Sequence, residues 1–377
     1  MKVLILSCNT GGGHNTAAKA IKEYFDLLGD ECIIKDALAF GGQKASDLVC
    51  DSYIEIVKRT PKLFGDFYAL GKKMGQYNSS EKKIRSPIYL INKIYSDALD
   101  DYIKEEDFDA IICTHIFPAE ALTHLKRRHD FKKTVFFVST DYAASPMLEE
   151  TLVDVIFAPH KDSIPTFTRK GISAEKIIPS GIPVAQSFTT KLDKKEARMQ
   201  LGLSEKGKII LVMTGSMGFG DTLEMTKDIL QKADKETHLI VITGNNQELY
   251  DDIKKMYGGD DRLVLVGFTK QVSLYMDASD VFLSKPGGLS STEALVKTIP
   301  IVHTAPIPGC ESENVSFFIK HHLSICADTT EEAGELAVRM LQDSFLRKQV
   351  ESAQKNYKCE NSARFIVEYI KKYIEKK

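Results

Sequence analysis

Tryptophan is absent from this 377-residue chain, and so is any apolar run of the about 18 residues that a spanning helix requires. The second absence argues against a transmembrane helix. The seven cysteines, Cys8, Cys32, Cys50, Cys113, Cys310, Cys326 and Cys359, are scattered, odd in number and form no C-x-x-C pair. That pattern argues against a disulfide framework or a zinc site and for reduced thiols in the cytosol. The nine histidines contain no H-E-x-x-H spacing, which disfavours a metal-dependent hydrolase. A net charge of −2 gives no global attraction to nucleic acid. What is present is 43% hydrophobic and 27% charged residues, the balance of a soluble globular protein. The length fits two α/β domains.

Short β-branched runs alternate with helical patterns, as in parallel βαβ units. Strands are expected over 2–6, 31–35, 110–113, 134–138 and 155–158, then over 209–213, 238–242, 263–266, 281–283, 301–302 and 324–326. The opening run 1–7 is apolar for only six residues before a glycine loop, so it reads as a first strand rather than a secretory signal. Between the halves, Ile178-Pro179-Ser180-Gly181-Ile182-Pro183-Val184 is punctuated by proline and glycine. The domain boundary is therefore expected near 185, giving domains 1–185 and 186–361. A final helix over 362–377 is expected to pack back across either domain. Each half opens with a strand and a glycine loop, an arrangement that predicts two Rossmann-like domains facing a cleft.

In the second half, Lys285-Pro286-Gly287-Gly288 follows an apolar run and precedes Leu289-Ser290-Ser291-Thr292-Glu293. Gly287 and Gly288 allow a sharp turn, and the helix start through Leu289, Ser290 and Ser291 offers free amides to a diphosphate. Glu293, one turn in, suits a ribose diol. In the first half, Gly11-Gly12-Gly13 with Asp36 superficially fits a dinucleotide fingerprint, but Thr16 stands where that motif needs Gly or Ala. His14 at the tip of this loop is a candidate general base, with an N-cap or packing role as the alternative. Asp141 ends a buried strand at the same sheet edge and either assists that base or caps the next segment.

Residues 58–95 set nine basic side chains, among them Lys72, Lys73, Lys82, Lys83 and Arg85, against two acidic ones. Phe64, Phe67, Tyr68, Tyr77, Tyr89 and Tyr95 are interleaved with them. Exposed aromatics among cations suit an anionic membrane surface; a solvated helical pair with buried aromatics is the alternative. A second cluster, Lys126-Arg127-Arg128-His129 with Lys132 and Lys133, reads as a solvated helix end.

Several motifs stand in one recognisable order: Gly11-Gly12-Gly13-His14 with Ala17-Ala18, Thr140-Asp141-Tyr142, Gly215-Ser216 and Gly267-Phe268. Lys285-Pro286-Gly287-Gly288 with Glu293-Ala294, and Pro306-Ile307-Pro308-Gly309-Cys310-Glu311-Ser312-Glu313-Asn314, complete the order. Together they resemble the monogalactosyldiacylglycerol synthase and processive diacylglycerol glucosyltransferase group, GT-B enzymes of the glycosyltransferase family 28 type. The resemblance implies a hexosyltransferase moving sugar from a UDP-sugar to a lipid hydroxyl such as diacylglycerol, with inversion and without metal or bound cofactor. It places Gly12 and Gly13 beside the acceptor, His14 as base and Asp141 beside it. Gly215, Ser216 and Met217 would lie under the phosphates, Gly267 and Phe268 at uracil, and Gly287 to Ser291 at the diphosphate. Glu293 would hold the ribose, and Glu311 and Asn314 the sugar hydroxyls. It further implies a cytoplasmic enzyme held peripherally on the inner face of the cell membrane, with no nucleic-acid partner. Other UDP-sugar chemistry on the same fold, such as N-acetylglucosaminyl transfer or epimerisation, and non-catalytic nucleotide binding are the alternatives. Three positions depart from the group: Ser145 and Leu148 replace a customary His and Trp, and Cys310 replaces Gln. They leave the acceptor and the sugar open.

Overall fold

The computed structural model describes residues 1–9, 12–42, 89, 92–128, 131–214 and 222–377. The chain forms two compact units. The first takes Met1–Gln186, Pro308–Glu313 and Asn361–Lys377; the second takes Ser187–Ile307 and Asn314–Glu360.

The first unit carries a six-stranded parallel sheet of β1 (Lys2–Ser7), β2 (Glu31–Asp36), β3 (Ala110–Cys113), β4 (Thr134–Val138), β5 (Val155–Ala158) and β6 (Ile177–Pro179). Their order is β2-β1-β3-β4-β5-β6, so the chain reverses direction across the sheet between β1 and β3. Central strands read as unbroken apolar runs because both faces are covered. Leu4, Leu6, Ile111, Phe137 and Ile156 fill one face. Val3, Ile5, Ile112, Phe136 and Phe157 fill the other, packed with Ala18, Ile21 and Phe25 of helix α1 (Gly12–Leu27). The last helix, Ser362–Glu375, adds Ile366, Val367 and Ile370 to this same face. Its Tyr369 and Tyr373 meet Phe157 and Phe136 edge-on at 5.5 Å each. Helix α2 (Ile116–Arg128) follows β3 and buries Ala119, Ala121, Leu122 and Leu125 in the opposite layer.

One strand escapes the sequence expectation. β6 lies inside the proline- and glycine-punctuated stretch read as a boundary. Among the described strands it pairs only with β5, and an edge strand tolerates Pro179 at its end because one side needs no donor.

The second unit holds β7 (Lys208–Val212), β8 (Thr237–Ile242), β9 (Leu263–Val266), β10 (Val281–Ser284), β11 (Ile301–His303) and β12 (Ser324–Cys326), all parallel. The order β12-β11-β10-β7-β8-β9 is that of a dinucleotide-binding fold, with its reversal between β7 and β10. Helix α3 (Gly288–Lys297) leaves the carboxyl end of β10, and α4 (Cys310–Lys320) follows β11. Buried Asp280 ties the opposite end of this sheet. It accepts from Arg198 Nη2 and the Ile209 amide at 2.9 Å each, and from Lys194 Nζ at 2.5 Å. Gly207 there has φ +82°, and a Cβ would sit 2.1 Å from the Glu236 carbonyl oxygen, so only glycine fits. No described helix is long and apolar enough to cross a membrane.

Candidate active site

Open parallel sheets bind ligands at the carboxyl edge where strand order reverses. In the first unit that point lies between β1 and β3, and it brings together α1 after β1 with Thr114 and His115 after β3. His14 Nδ1 is 2.8 Å from the Thr114 carbonyl oxygen and 2.9 Å from Thr140 Oγ1. A carbonyl only accepts, so Nδ1 carries the hydrogen and Nε2 keeps its lone pair. Burial lowers the His14 pKa, against the pull of the Asp141 carboxylate and the Thr114 carbonyl, which raise it. The imidazole is therefore neutral at physiological pH, with a basic nitrogen free. His115 meets His14 edge-on at 4.6 Å and accepts the Phe117 amide through its own Nδ1 at 3.2 Å. Burial, then the neighbouring His14, holds it well below the usual histidine range. Half-buried Asp141 and buried Tyr142 follow Thr140 at the end of β4.

In the second unit the reversal point lies between β7 and β10, where α3 begins. Its N-cap is Gly287, which offers no side-chain cap, and the first turn holds no acidic residue. The amides of Gly288, Leu289 and Ser290 belong to the opening turn, whose N–H groups have no intrahelical acceptor. Gly287 has φ −71° and neither glycine has positive φ, so the motif is needed for bare backbone rather than for a left-handed turn. Glu293, one turn on, is 6% exposed and hydrogen-bonds to no described residue. Burial alone pushes its carboxyl up to about 8. Gly267 follows β9, and beside it Phe268 leaves 66% of its surface open to solvent.

Two of the expected ligands make hydrogen bonds within the fold. Ser291 donates its amide to the Gly287 carbonyl at 3.1 Å, and its Oγ sits 3.0 Å from His303 Nε2. Asn314 is fully buried, and its Nδ2 donates to the Pro286 carbonyl at 3.0 Å, so it braces the glycine loop. Glu311 is buried in the first turn of α4, with Cys310 half-buried before it. Gly12 and Gly13 open α1, the first exposed and the second half-buried. Leu148 packs in the first unit's core, and Ser145 gives its carbonyl to Lys170 Nζ at 2.8 Å.

Gly215, Ser216 and Met217 lie outside the described residues, as do Lys72, Lys73, Lys82, Lys83 and Arg85. Of the aromatics in that basic stretch, Tyr89 and Tyr95 are described, and both are buried rather than exposed. Tyr89 lies under the Arg127 guanidinium, and Tyr95 donates to Asn92 Oδ1 at 2.9 Å. The second basic cluster is largely paired rather than simply solvated: Lys126 with Asp154, Arg128 with Asp97 and Lys133 with Asp107. Among the described residues no group of three His, Cys, Asp or Glu side chains is placed to hold a metal ion. Thr114 and His115 escaped sequence reasoning, and Thr140 entered it only as part of the Thr140-Asp141-Tyr142 motif. The rule that singled out Asp141, a polar residue just beyond a buried strand, applies equally to Thr114-His115 after β3.

Residues 14–184 match the family model for monogalactosyldiacylglycerol (MGDG) synthase, and residues 209–369 match the glycosyltransferase family 28 C-terminal domain. Processive diacylglycerol beta-glucosyltransferases of Bacillus cereus (strain 03BB102) and Bacillus mycoides (strain KBAB4) are each 26% identical, over 98% of this chain and 93% of theirs. Among solved structures, Acinetobacter baumannii MurG superposes with a TM-score of 0.62 at 13% identity, covering 98% of this chain and 99% of that one. The Neisseria meningitidis UDP-GlcNAc 2-epimerase bound to UDP-GlcNAc gives 0.66 at 15% identity, over 99% and 100%. The likeness to these solved structures is one of fold, two six-stranded parallel sheets each flanked by helices. The chain belongs to the glycosyltransferases in which a monogalactosyldiacylglycerol synthase domain is followed by a glycosyltransferase family 28 C-terminal domain.

Proposed function

We propose that this protein transfers a hexose from a UDP-sugar to the free hydroxyl of diacylglycerol, with inversion at the anomeric carbon. The observation that carries the donor half is Glu293, a nearly buried carboxyl without a hydrogen-bond partner among the described residues, one turn inside an uncapped helix start. A ribose diol supplies the missing partners while the Gly288, Leu289 and Ser290 amides hold the diphosphate, whose charge the helix dipole stabilises. Exposed Phe268 and the Gly267 backbone then serve uracil, and Glu311 a sugar hydroxyl. Gly215, Ser216 and Met217, outside the described residues, are assigned to the phosphates on the sequence resemblance alone.

In the reaction the acceptor oxygen attacks the anomeric carbon as the bond to UDP breaks. His14 Nε2 takes the hydroxyl proton, and Nδ1 stays fixed on Thr114 and Thr140. Asp141 steadies the imidazolium that forms. The bond electrons leave with the diphosphate, where the amides at the start of α3 offset the developing charge. The UDP-sugar is a substrate, and this reading assigns no bound cofactor and no metal.

The acceptor is a membrane lipid, so the reading places the enzyme peripherally on an anionic cytoplasmic membrane face, with the basic stretch 58–95 as the contact. Such contact weakens with salt. The test is UDP binding followed by UDP release. UDP should raise the melting temperature, and one UDP-hexose should release UDP only when diacylglycerol is present. No thermal shift with UDP refutes the donor site; UDP release that ignores diacylglycerol refutes the acceptor.

A further inference from the structure

Behind the start of α3 lies a chain of three buried side chains that the proposed mechanism does not use. His303, at the carboxyl end of β11, is fully buried. Its Nε2 is 3.0 Å from Ser291 Oγ in α3, and its Nδ1 is 3.0 Å from Ser324 Oγ at the start of β12. Phe318 packs edge-on against the ring at 5.2 Å. Burial pushes the imidazole down to about 3, so it is neutral and offers one N–H and one lone pair. One serine must therefore donate to it and the other accept, which gives the chain a direction and a single geometry.

The same turn is fastened elsewhere. Asn314 holds the Pro286 carbonyl, the Ser291 amide holds that of Gly287, and Thr292 Oγ1 donates to that of Gly288 at 2.6 Å. The last two bonds lie within the turn, and the first ties it to α4. His303 ties it sideways to β11 and, through Ser324, to β12.

We propose that His303 is a positioning residue for the nucleotide site: through Ser291 it anchors the first turn of α3 to the sheet and so aims the Gly288, Leu289 and Ser290 amides. The inference rests on the reading of those amides as the diphosphate site, and it gives the Ser291 hydroxyl a role behind the site instead of in it.

Two substitutions of similar polarity separate positioning from mere packing. His303→Gln sets its amide near the place of Nε2 and keeps a partner for Ser291. His303→Asn places it near Nδ1, keeps Ser324 and abandons Ser291. The expected result is UDP affinity within about threefold of wild type for Gln, and a loss of roughly tenfold for Asn, with KM for the UDP-sugar rising more than kcat falls. Ser291→Ala should follow Asn, and Ser324→Ala should follow Gln. Hydrogen–deuterium exchange over 286–292 supplies a readout that needs no nucleotide. It should quicken in Asn and stay near wild type in Gln. Equal effects of Gln and Asn on both readouts overturn the anchoring role. Faster exchange in Asn with unchanged UDP affinity overturns its link to the nucleotide. Failure of the wild-type protein to bind UDP refutes the site reading itself, and the functional part of this inference with it.

Discussion

Glu293→Gln is expected to strengthen the fold and weaken the ligand at once. The wild-type carboxyl, largely removed from water, is pushed up to about 8 by burial. In the unfolded chain the same group ionises near its ordinary value of 4.5. Between those values the folded protein holds a proton that the unfolded chain has released, so stability falls as pH rises. At about 1.4 kcal/mol per unit, the wild type should lose about 3 kcal/mol relative to the Gln variant between pH 5 and pH 7.5. For a unit of this size that separates the two melting temperatures on the order of 5 °C or more at the higher pH, and hardly at all at the lower. The matching assay is calorimetric melting of both proteins across this range, with UDP titrated into each at pH 7.5. UDP affinity should drop about tenfold or more in Gln, because the two ribose hydroxyls draw the carboxyl into its ionised form, which accepts through both oxygens, and an amide has no such form. A constant difference in melting temperature across pH refutes the buried, unpaired state of Glu293. Unchanged UDP affinity refutes its role at the nucleotide.

His14→Ala should cut turnover by roughly 10²–10⁴-fold while UDP affinity stays within about threefold of wild type, measured by steady-state kinetics and calorimetric titration. Because burial lowers the His14 pKa, the acid limb of the wild-type pH–rate profile should fall below 6.5, and Asp141→Asn should move it lower still by removing the charge that raises it. Asp280→Ala should cost about 3–5 kcal/mol in urea denaturation, since it strands buried Arg198. Burial works to raise the Asp280 pKa, but Lys194, the Ile209 amide and Lys208 together hold it below the ordinary value. Its stabilisation is thus present above 3.8 and lost as pH falls through the lower folded pKa. Glu120 has the opposite sign: burial, then Glu150, pushes it up to about 9, so Glu120→Gln should gain stability over wild type as pH rises from 5 to 9, read by calorimetry.

The sheets were legible because β-branched runs such as Ile209-Ile210-Leu211-Val212 have no other stable place than a strand covered on both faces. β6 was hidden because Pro179 and Gly181 read as a break, and only the tertiary fact of an edge position makes that sequence a strand. At the site, residue type singled out two loops but not which of their atoms the fold itself engages. Ser291 and Asn314 have the chemistry of ligands, yet the sheet and the glycine loop claim their side chains. His303 closes an apolar run and carries no motif, so its link to Ser291 and Ser324 exists only in three dimensions. Leu148 shows the same limit from the other side. In sequence it marks a departure in acceptor handling, and in the fold it fills the core.

The most direct test of lipid glycosylation is mass spectrometry of the lipid fraction after the wild-type protein meets diacylglycerol in mixed micelles with each of a panel of UDP-hexoses. One donor should yield diacylglycerol heavier by one hexose or more, and His14→Ala should yield little or none. A UDP-sugar recovered as its epimer, with diacylglycerol unchanged, would contradict transfer to this lipid.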